Sequence, residues 1–280
     1  MARLLLIETS TALCSTAISD GEKIICERRS DEPRQHASMT AVYVKEMLDE
    51  CGLTMADIDA IALSAGPGSY TGLRVGSSTA KGLCFGSGKP LIAVWTLDVL
   101  AWQALTVIPR SPKGDEGTEL CELCDRRKQI SILPVIDARR MEVYTAPYTL
   151  GADGYPQRQG EVAPVVLDEN SFAELFQAGP VVVIGDGAEK FCTLRQGTIT
   201  DAQHRQGTLV AGPLIMEPKG SSAPQAPTAT GNLFVQACPE ASAMLRPALK
   251  KFEAGQFENI AYFEPFYLKD FVATVGKKLF

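Results

Sequence analysis

The order of short apolar segments in the first hundred residues is the feature that most constrains the fold. Three such segments, at residues 4–7, 13–18 and 23–27, follow one another closely. A polar turn separates the first two, and Asp20-Gly21, a dipeptide typical of tight hairpins, separates the last two. The pattern therefore predicts three consecutive antiparallel strands.

The spacing of apolar residues then changes to that of a helix. Val44, Met47, Leu48 and Cys51 lie three and four positions apart, and Gly52 ends the pattern. The predicted order is therefore β-β-β-α-β-α, followed by a further strand. The segments after the first helix are a strand, a glycine-rich loop, a second helix and another strand, at residues 58–63, 65–70, 71–85 and 90–94.

The second half of the chain repeats this pattern with almost no identity of residues. Residues 133–137 form an apolar segment that ends in an acid, as residues 5–8 do, and residues 141–150 predict a second strand. Residues 151–154, Gly-Ala-Asp-Gly, take the place of Asp20-Gly21. A helix, a buried strand and a counterpart of the Gly66 loop then follow at residues 171–178, 181–184 and 185–188.

One supersecondary unit used twice predicts two similar α/β domains that face a cleft. We place the N-terminal domain at residues 1–104 and the C-terminal domain at residues 105–280. Two stretches fall outside the repeat: residues 109–128 are charged and irregular, and residues 196–232 are rich in Gly, Pro, Ser, Thr and Gln. Both are expected to be long loops.

Charge and hydropathy exclude several classes of function. The chain has 27 Lys and Arg against 33 Asp and Glu, whereas a protein that holds nucleic acid by itself normally has a basic surplus. Contact with tRNA or other nucleic acid is therefore expected to be indirect. No segment reaches the roughly 18 apolar residues that span a bilayer. Cysteines within apolar segments are typical of reduced proteins, so we expect a cytoplasmic protein without membrane contact.

Metal binding and histidine-based catalysis find little support. The pair Cys121 and Cys124 has the spacing of a zinc half-site, but no second closely spaced pair completes the four ligands. The only histidines are His36 and His204, and the position four residues after His36 is Thr40, a poor metal ligand. No serine stands in a G-x-S-x-G context. We therefore predict neither a metal nor a catalytic residue.

Two loops have the composition that phosphate binding requires. Small residues follow the first strand, and glycines lie between a strand and a helix, where backbone N–H groups can approach an anion. The glycine loop lacks the lysine of a Walker loop and the spacing of a dinucleotide fingerprint. An ATP or ADP site, and with it an autonomous ATP-using enzyme, stays open as the alternative. The residues concerned are Thr9, Ser10, Gly66, Gly68, Gly185 and Gly187.

The two helices of the first half carry more small and apolar surface than one sheet can cover. The second helix contains four glycines, each costing roughly 1 kcal/mol relative to alanine, which suggests that another backbone comes close. Such helix faces predict a helix-on-helix protein interface, and their burial within the monomer is the alternative. The outer stripes consist of Gln35, Met39, Val42 and Tyr43 on the first helix and Arg74, Ser77, Ser78, Lys81 and Phe85 on the second.

Five sequence blocks resemble the bacterial TsaB family, also called YeaZ, which is often labelled a glycoprotease-like or M22-peptidase homologue. The most specific are the block at residues 65–76, which contains Gly-Pro-Gly-Ser-Tyr-Thr-Gly-Leu-Arg, and the block Asp-Ala-Arg-Arg-Met-Glu-Val-Tyr at residues 137–144. Residues 185–187 and 265–269 match more weakly. The other blocks are at residues 5–11, 34–37 and 80–83.

This resemblance implies the duplicated actin/Hsp70-like ATPase fold, which is ribonuclease H-like, and a non-catalytic scaffold. The family lacks the His-x-x-x-His metal site of its catalytic relative TsaD, as His36 and Thr40 show here. TsaD transfers threonylcarbamoyl from its adenylate to the adenosine next to the anticodon in tRNA. The resemblance also implies that the Gly185 loop is a degenerate phosphate loop and that the older protease label does not apply.

The implied partners are TsaD, the ATPase TsaE and, when the chain is alone, a second copy of itself. In the family the first two helices pair with those of TsaD. The resemblance thus assigns a partner-binding role to the residues Gln35, His36, Met39, Val42, Tyr43, Arg74, Ser77, Ser78 and Lys81.

Overall fold

The computed structural model describes residues 2–30, 32, 36–108, 130–195, 199–205, 208–213 and 232–268. The side chains of residues 36–38, 199–205 and 208–213 lie outside the description. Two sheets organise these residues, and each is covered by helices.

The first sheet has the strand order β3-β2-β1-β4-β5. Its first three strands form an antiparallel meander, as predicted, whereas β4 is parallel to β1 and β5 is parallel to β4. Parallel strands need a crossover, and a helix supplies each one. The elements are β1 Leu4–Glu8, β2 Cys14–Asp20, β3 Lys23–Ser30, α1 His36–Cys51, β4 Ala60–Ser64, α2 Tyr70–Ser87 and β5 Leu91–Val94.

The two faces of this sheet are covered by different parts of the chain. Side chains of α1 and α2, such as Met47 and Ala80, pack with Leu5 and Ile61 on one face. The opposite face, with Leu4 and Leu6, is covered by the 3-10 turn Ala241–Met244 and helix α6, Leu245–Glu253. Residues far along the chain therefore cover one of the two faces of the first sheet.

The second sheet repeats the order of the first. When the additional strands β8, β9, β12 and β13 are left out, its path β10-β7-β6-β11-β14 is again third, second, first, fourth and fifth strand, so the predicted duplication is confirmed. A hairpin extends this path beyond β14, and β8 and β9 pair off it. The strands are β6 Ser131–Asp137, β7 Glu142–Thr145, β8 Tyr148–Leu150, β9 Pro156–Arg158, β10 Ala163–Val166, β11 Val181–Gly185, β12 Ile199–Arg205, β13 Thr208–Pro213 and β14 Leu233–Gln236.

Three helices belong to this part of the molecule. Leu97, Leu100 and Ala104 of α3 pack with Ile132 and Ile184 of the second sheet, although α3 directly follows the first sheet in sequence. The division at residues 104 and 105 stays a prediction, and we propose that α3 belongs with the second sheet. The helices are α3 Thr96–Val107, α4 Ala173–Ala178 and α5 Ala188–Arg195.

Two details of the second half differ from the sequence prediction. The strand predicted at residues 141–150 is two strands, β7 and β8, interrupted before Tyr148 by Pro147, which has no N–H to donate to a ladder. The turn at residues 151–154 joins β8 to β9, and the third strand of the repeat is β10. The turn is therefore not the counterpart of Asp20-Gly21.

The expectation of a long loop at residues 196–232 was wrong in part. Strands β12 and β13 pair with each other there, and β12 runs parallel to β14. Strand β12 is mostly polar, and neither strand has the apolar alternation by which strands are predicted. Residues 214–231, and the loop expected at residues 109–128, lie outside the described residues.

Candidate functional site

Helix α2 begins at the turn that follows β1. Ser69 is its N-cap, with its Oγ accepting a hydrogen bond from the Gly72 N–H at 3.4 Å. The Ser69 N–H in turn donates to the Ser10 carbonyl at 2.6 Å. Gly88 ends the helix in the left-handed conformation, at a φ of 69°. The helix start and the turn after β1 are thus one connected structure.

The glycines at this junction allow close backbone packing. A Cβ at Gly72 would lie 2.0 Å from the Thr9 carbonyl oxygen, and one at Gly68 would lie 2.3 Å from that of Ser10. Thr9 Oγ1 donates to the Gly72 carbonyl at 2.9 Å, and both Thr9 and Ser10 are buried. The candidate phosphate-binding residues are therefore brought together, but they pack on one another without room for even a methyl group at Gly72.

Residues 263–266, here called the C-terminal segment, cover the Gly66 loop, which is the glycine-rich loop at residues 65–70. The Phe266 N–H donates to the Ala65 carbonyl at 2.7 Å, and the Phe266 carbonyl oxygen lies 2.6 Å from the Cβ position of Gly66. The Phe266 ring meets Trp95 edge-on at 4.8 Å between centroids. This loop of the predicted nucleotide site is thus occupied by the chain itself.

The corresponding loop of the second half is also tightly packed. Gly185 has a φ of 142°, and its Cβ position lies 1.8 Å from the Val135 carbonyl oxygen. At Gly187 the nearest atom, at 3.0 Å, is a methyl group of Val143. Asp186 Oδ1 accepts the Asp137 N–H at 2.7 Å, and burial raises the pKa of Asp186 to about 6. Packing against β6 accounts for Gly185, and packing against β6 and β7 accounts for Gly187.

Glu8 is a buried acidic residue that the sequence analysis did not identify as a site residue. It is fully buried at the end of β1, and its Oε1 accepts the Ser10 N–H at 2.7 Å and the Ser64 hydroxyl at 2.9 Å. Its Oε2 has no hydrogen-bond partner within the described residues. Burial raises the pKa of Glu8 to about 7. The sequence did contain a sign that Glu8 is unusual, because it is an acidic residue at the end of an otherwise wholly apolar strand.

The predicted partner face lies where α1 packs against α2. Val42 and Ser78 are exposed, and Met39 and Tyr43 are half-buried. Gln35 and the side chain of His36 lie outside the described residues. The structure therefore brings four of the proposed interface residues to one side of the first sheet.

The other three proposed residues make contacts within the chain. Ser77 is only 7% exposed, and its hydroxyl donates to the Arg74 carbonyl at 3.1 Å, so its side chain is not on the surface. Lys81 Nζ donates to the Phe263 carbonyl at 3.1 Å, which ties α2 to the C-terminal segment. The exposed guanidinium of Arg74 lies over the Tyr70 ring at 5.4 Å.

The most exposed apolar side chain on α2 is Phe85, at 88%. Gly82 and Gly86 lie one turn apart beside it, and a Cβ at either position would have no atom within 4 Å. A shallow groove of about 470 Å³ adjoins these glycines. The sequence analysis did not foresee it, because the 3-10 turn Met55–Asp57 forms its other wall. Its lining residues are Met55, Ala56, Gly82, Leu83, Gly86 and Ser87.

Two features are absent from the part of the chain that the structure describes. No group of three or more His, Cys, Asp or Glu side chains is arranged to hold a metal ion there. Among the helices of the same residues, none is long and apolar enough to cross a membrane. Cys121 and Cys124, the candidate zinc half-site, lie outside this part.

Comparisons with known proteins match both the whole architecture and the region of the two helices. A crystal structure of an uncharacterized protein with similarity to peptidase YeaZ from Pseudomonas aeruginosa covers 96% of this chain and 100% of that chain, with a TM-score of 0.66 and 25% identity. The family model described as TsaD, tRNA N6-adenosine threonylcarbamoyltransferase, matches residues 30–113.

Two curated relatives add to this. The tRNA threonylcarbamoyladenosine biosynthesis protein TsaB of Escherichia coli K12 is 27% identical over 278 residues, which is 97% of this chain and 96% of that protein. A tRNA N6-adenosine threonylcarbamoyltransferase of Clostridium botulinum is 49% identical over 61 residues, which is 22% of this chain and 18% of that protein.

Strand order, helix placement and structural likeness define the class of this protein. It is an α/β protein with the duplicated actin/Hsp70-like ATPase fold. In this chain the turn after β1 and the two glycine loops are packed against neighbouring backbone and side chains. Within the class, the chain is similar along nearly its whole length to proteins named TsaB or YeaZ.

Proposed function

We propose that this chain takes part in the synthesis of threonylcarbamoyladenosine in tRNA as a scaffold subunit without catalytic residues of its own. The relative that matches it along nearly its whole length is named for that pathway. The proposed partners are a TsaD-like catalytic subunit and a TsaE-like ATPase, and tRNA would be contacted only indirectly. The chain alone would form a homodimer, and its cytoplasmic location stays a prediction.

The observation that carries this proposal is the surface formed by α1 and α2. It combines exposed Val42, exposed Ser78 and the bare Gly82 and Gly86 with Phe85, which is 88% exposed. Small residues one turn apart let a second helix come close, and a protruding aromatic ring supplies an anchor. Such a face is typical of a helix-on-helix contact with another protein.

The local similarity to the transferase supports a TsaD-like partner. The matching model spans residues 30–113, which include both α1 and α2. Two related chains that present the same pair of helices can pair about a pseudo-twofold axis, as the two copies of a homodimer do about a true one. The same surface would then serve the homodimer and the complex in turn.

The proposal is tested by mixing the purified chain with its TsaD-like partner and measuring complex formation by size-exclusion chromatography with light scattering. Val42→Arg and Ser78→Arg each place a bulky charge on the surface, and we expect each to weaken the complex at least about tenfold. The matched control is Val166→Arg, because Val166 is 71% exposed on edge strand β10 of the second sheet. Complex formation that tolerates both interface variants would contradict the proposal.

The competing function is an autonomous ATP-using enzyme. It is disfavoured by the tight packing at Gly68, Gly72 and Gly185, because a phosphate group would have to displace backbone atoms there. Calorimetry of the isolated chain with ATP and magnesium distinguishes the two. We expect no binding in the micromolar range, and micromolar binding with turnover would make the enzyme the better explanation.

A further inference from the structure

Two cysteines from different elements meet at the end of α1. Cys26 lies in β3 and Cys51 is the last residue of α1, and both belong to the apolar cluster beneath the helix. The two side chains pack in the same apolar cluster, and their thiols lie close enough to interact with each other. Cys26 is only 6% exposed, whereas Cys51 is partly exposed, and neither forms a disulfide in this structure. Solvent therefore reaches the pair through Cys51.

Arg28 fixes the geometry of this pair. Its Nη1 donates to Cys26 Sγ at 3.5 Å, and the same guanidinium forms ion pairs with Glu50 and, at 3.8 Å, with Glu46 of α1. These contacts hold the end of the helix against the strand at the point where the two sulfurs meet. Burial raises the pKa of the Cys26 thiol, and the charge of Arg28 partly opposes that rise.

We propose that Cys26 and Cys51 are a redox-sensitive dithiol that hydrogen peroxide converts into an intramolecular disulfide. The thiolate of Cys51 attacks the peroxide, so an S–O bond forms, the O–O bond breaks, and the departing hydroxide takes up a proton to become water. The Cys26 thiolate then attacks the sulfenic sulfur, forming the S–S bond and releasing a second hydroxide, which also becomes water. Two thiols are oxidised and one peroxide is reduced to two waters.

Access and proximity assign these two roles. The partly exposed Cys51 can meet the oxidant, and the buried Cys26 lies beside it as the resolving thiol. Two other cysteines of the first half lack that arrangement: Cys14 Sγ of β2 contacts the Thr40 hydroxyl at 3.4 Å, and Cys84 of α2 is fully buried among apolar residues. Oxidation is therefore expected to be selective for the pair.

The disulfide would tie the third strand to the far end of α1. It would close a loop running from residue 26 to residue 51 and so restrict the unfolded chain, which stabilises the folded state. This inference rests on the two thiols and does not depend on the proposed function. A failed partner-binding experiment would leave it intact, and the reverse is also true.

The test uses the full chain with Cys121 and Cys124 changed to serine, so that these two cannot form a disulfide of their own. Treatment with one equivalent of hydrogen peroxide should remove two hydrogen atoms from the intact mass and join the tryptic peptides of Cys26 and Cys51. The melting temperature should rise by several degrees, and dithiothreitol should reverse both changes.

Single variants complete the design. Cys51→Ser should abolish the cross-link, and Cys26→Ser should leave Cys51 as a sulfenic acid that dimedone traps. Cys84→Ser is the control and should still form the cross-link. If peroxide yields only sulfinic or sulfonic acid on Cys51, or if the cross-link joins other cysteines, the proposal is wrong.

Discussion

At the scale of single residues, the glycines of α2 lie in two different environments. Gly72 and Gly76 lie against Thr9, with Cβ positions 2.0 and 2.2 Å from its oxygen atoms, whereas Gly82 and Gly86 face open space. The sequence shows that all four are costly in a helix, but it cannot show which of them touch another part of the chain. That contact joins residues about 60 positions apart and depends on the completed sheet.

These two environments predict opposite effects of the same substitution. Gly72→Ala should lower the free energy of unfolding by about 3 kcal/mol, because its methyl group would overlap a backbone carbonyl. Gly82→Ala should raise the free energy of unfolding by about 1 kcal/mol, because alanine is the better helix former and nothing obstructs it. Urea denaturation of both variants measures the difference, and equal effects would show that the close packing at Gly72 is wrong.

Glu8 predicts a pH dependence of stability. Its pKa is about 7 in the folded chain, raised by burial from an ordinary value of 4.5. Between these two values the folded state holds a proton that the unfolded state has released, so stability falls as pH rises through this window and is level above it. Asp186, with a pKa of about 6, acts in the same direction.

The variant Glu8→Gln isolates this contribution. It should remove the decrease in the free energy of unfolding, at most about 3 kcal/mol, that Glu8 causes between pH 4.5 and 7. Urea denaturation of the wild type and the variant across that range provides the measurement. A wild-type curve no steeper than that of Glu8→Gln would contradict the burial of a protonated carboxyl group.

At the scale of secondary structure, periodicity predicted most elements of the first half correctly. Strands β1 to β5 and helices α1 and α2 were all predicted in order, because their apolar residues repeat with a clear period and glycines mark their ends. The break at Pro147 and the β12–β13 hairpin were missed. Their pairing is determined by neighbouring strands, not by their own sequences.

The C-terminal segment could not be placed from its sequence, yet it shapes the site. Phe266 contacts Trp95, and Lys81 reaches the carbonyl of Phe263. We expect Phe266→Ala to lower the free energy of unfolding by about 1–3 kcal/mol, because it removes the aromatic partner of Trp95. Tryptophan fluorescence should shift to the red, because Trp95 becomes exposed to water. Tyr262→Ala is the matched control, since Tyr262 is 85% exposed. A Phe266→Ala variant as stable as this control would show that the segment does not hold the Gly66 loop.

At the scale of the whole molecule, each sheet is covered in part by an element that adjoins the other sheet in sequence. Helix α3 packs mainly on the second sheet, although its Val99 joins the cluster on the first, and residues 241–249 return from the second sheet to cover the first. Sequence analysis found the repeat, and its boundary at residue 104 stays a prediction, because a pattern shows that a helix has an apolar face and not which sheet receives it.

This arrangement predicts how fragments behave. Residues 1–95 alone should aggregate, because the face with Leu4, Leu6 and Ile92 loses its cover. The same fragment joined by a flexible linker to residues 239–268 should be monomeric and unfold cooperatively, as judged by circular dichroism and light scattering. If residues 1–95 alone give a monomer with a sharp transition, the returning segment is dispensable.

The return of residues 241–249 also has a consequence for synthesis. A ribosome makes the strands of the first sheet well before residues 241–249, which form its second cover. Until those residues emerge, the nascent polypeptide exposes the apolar face that contains Leu4 and Leu6. Chaperones that bind such surfaces would therefore be needed during that interval.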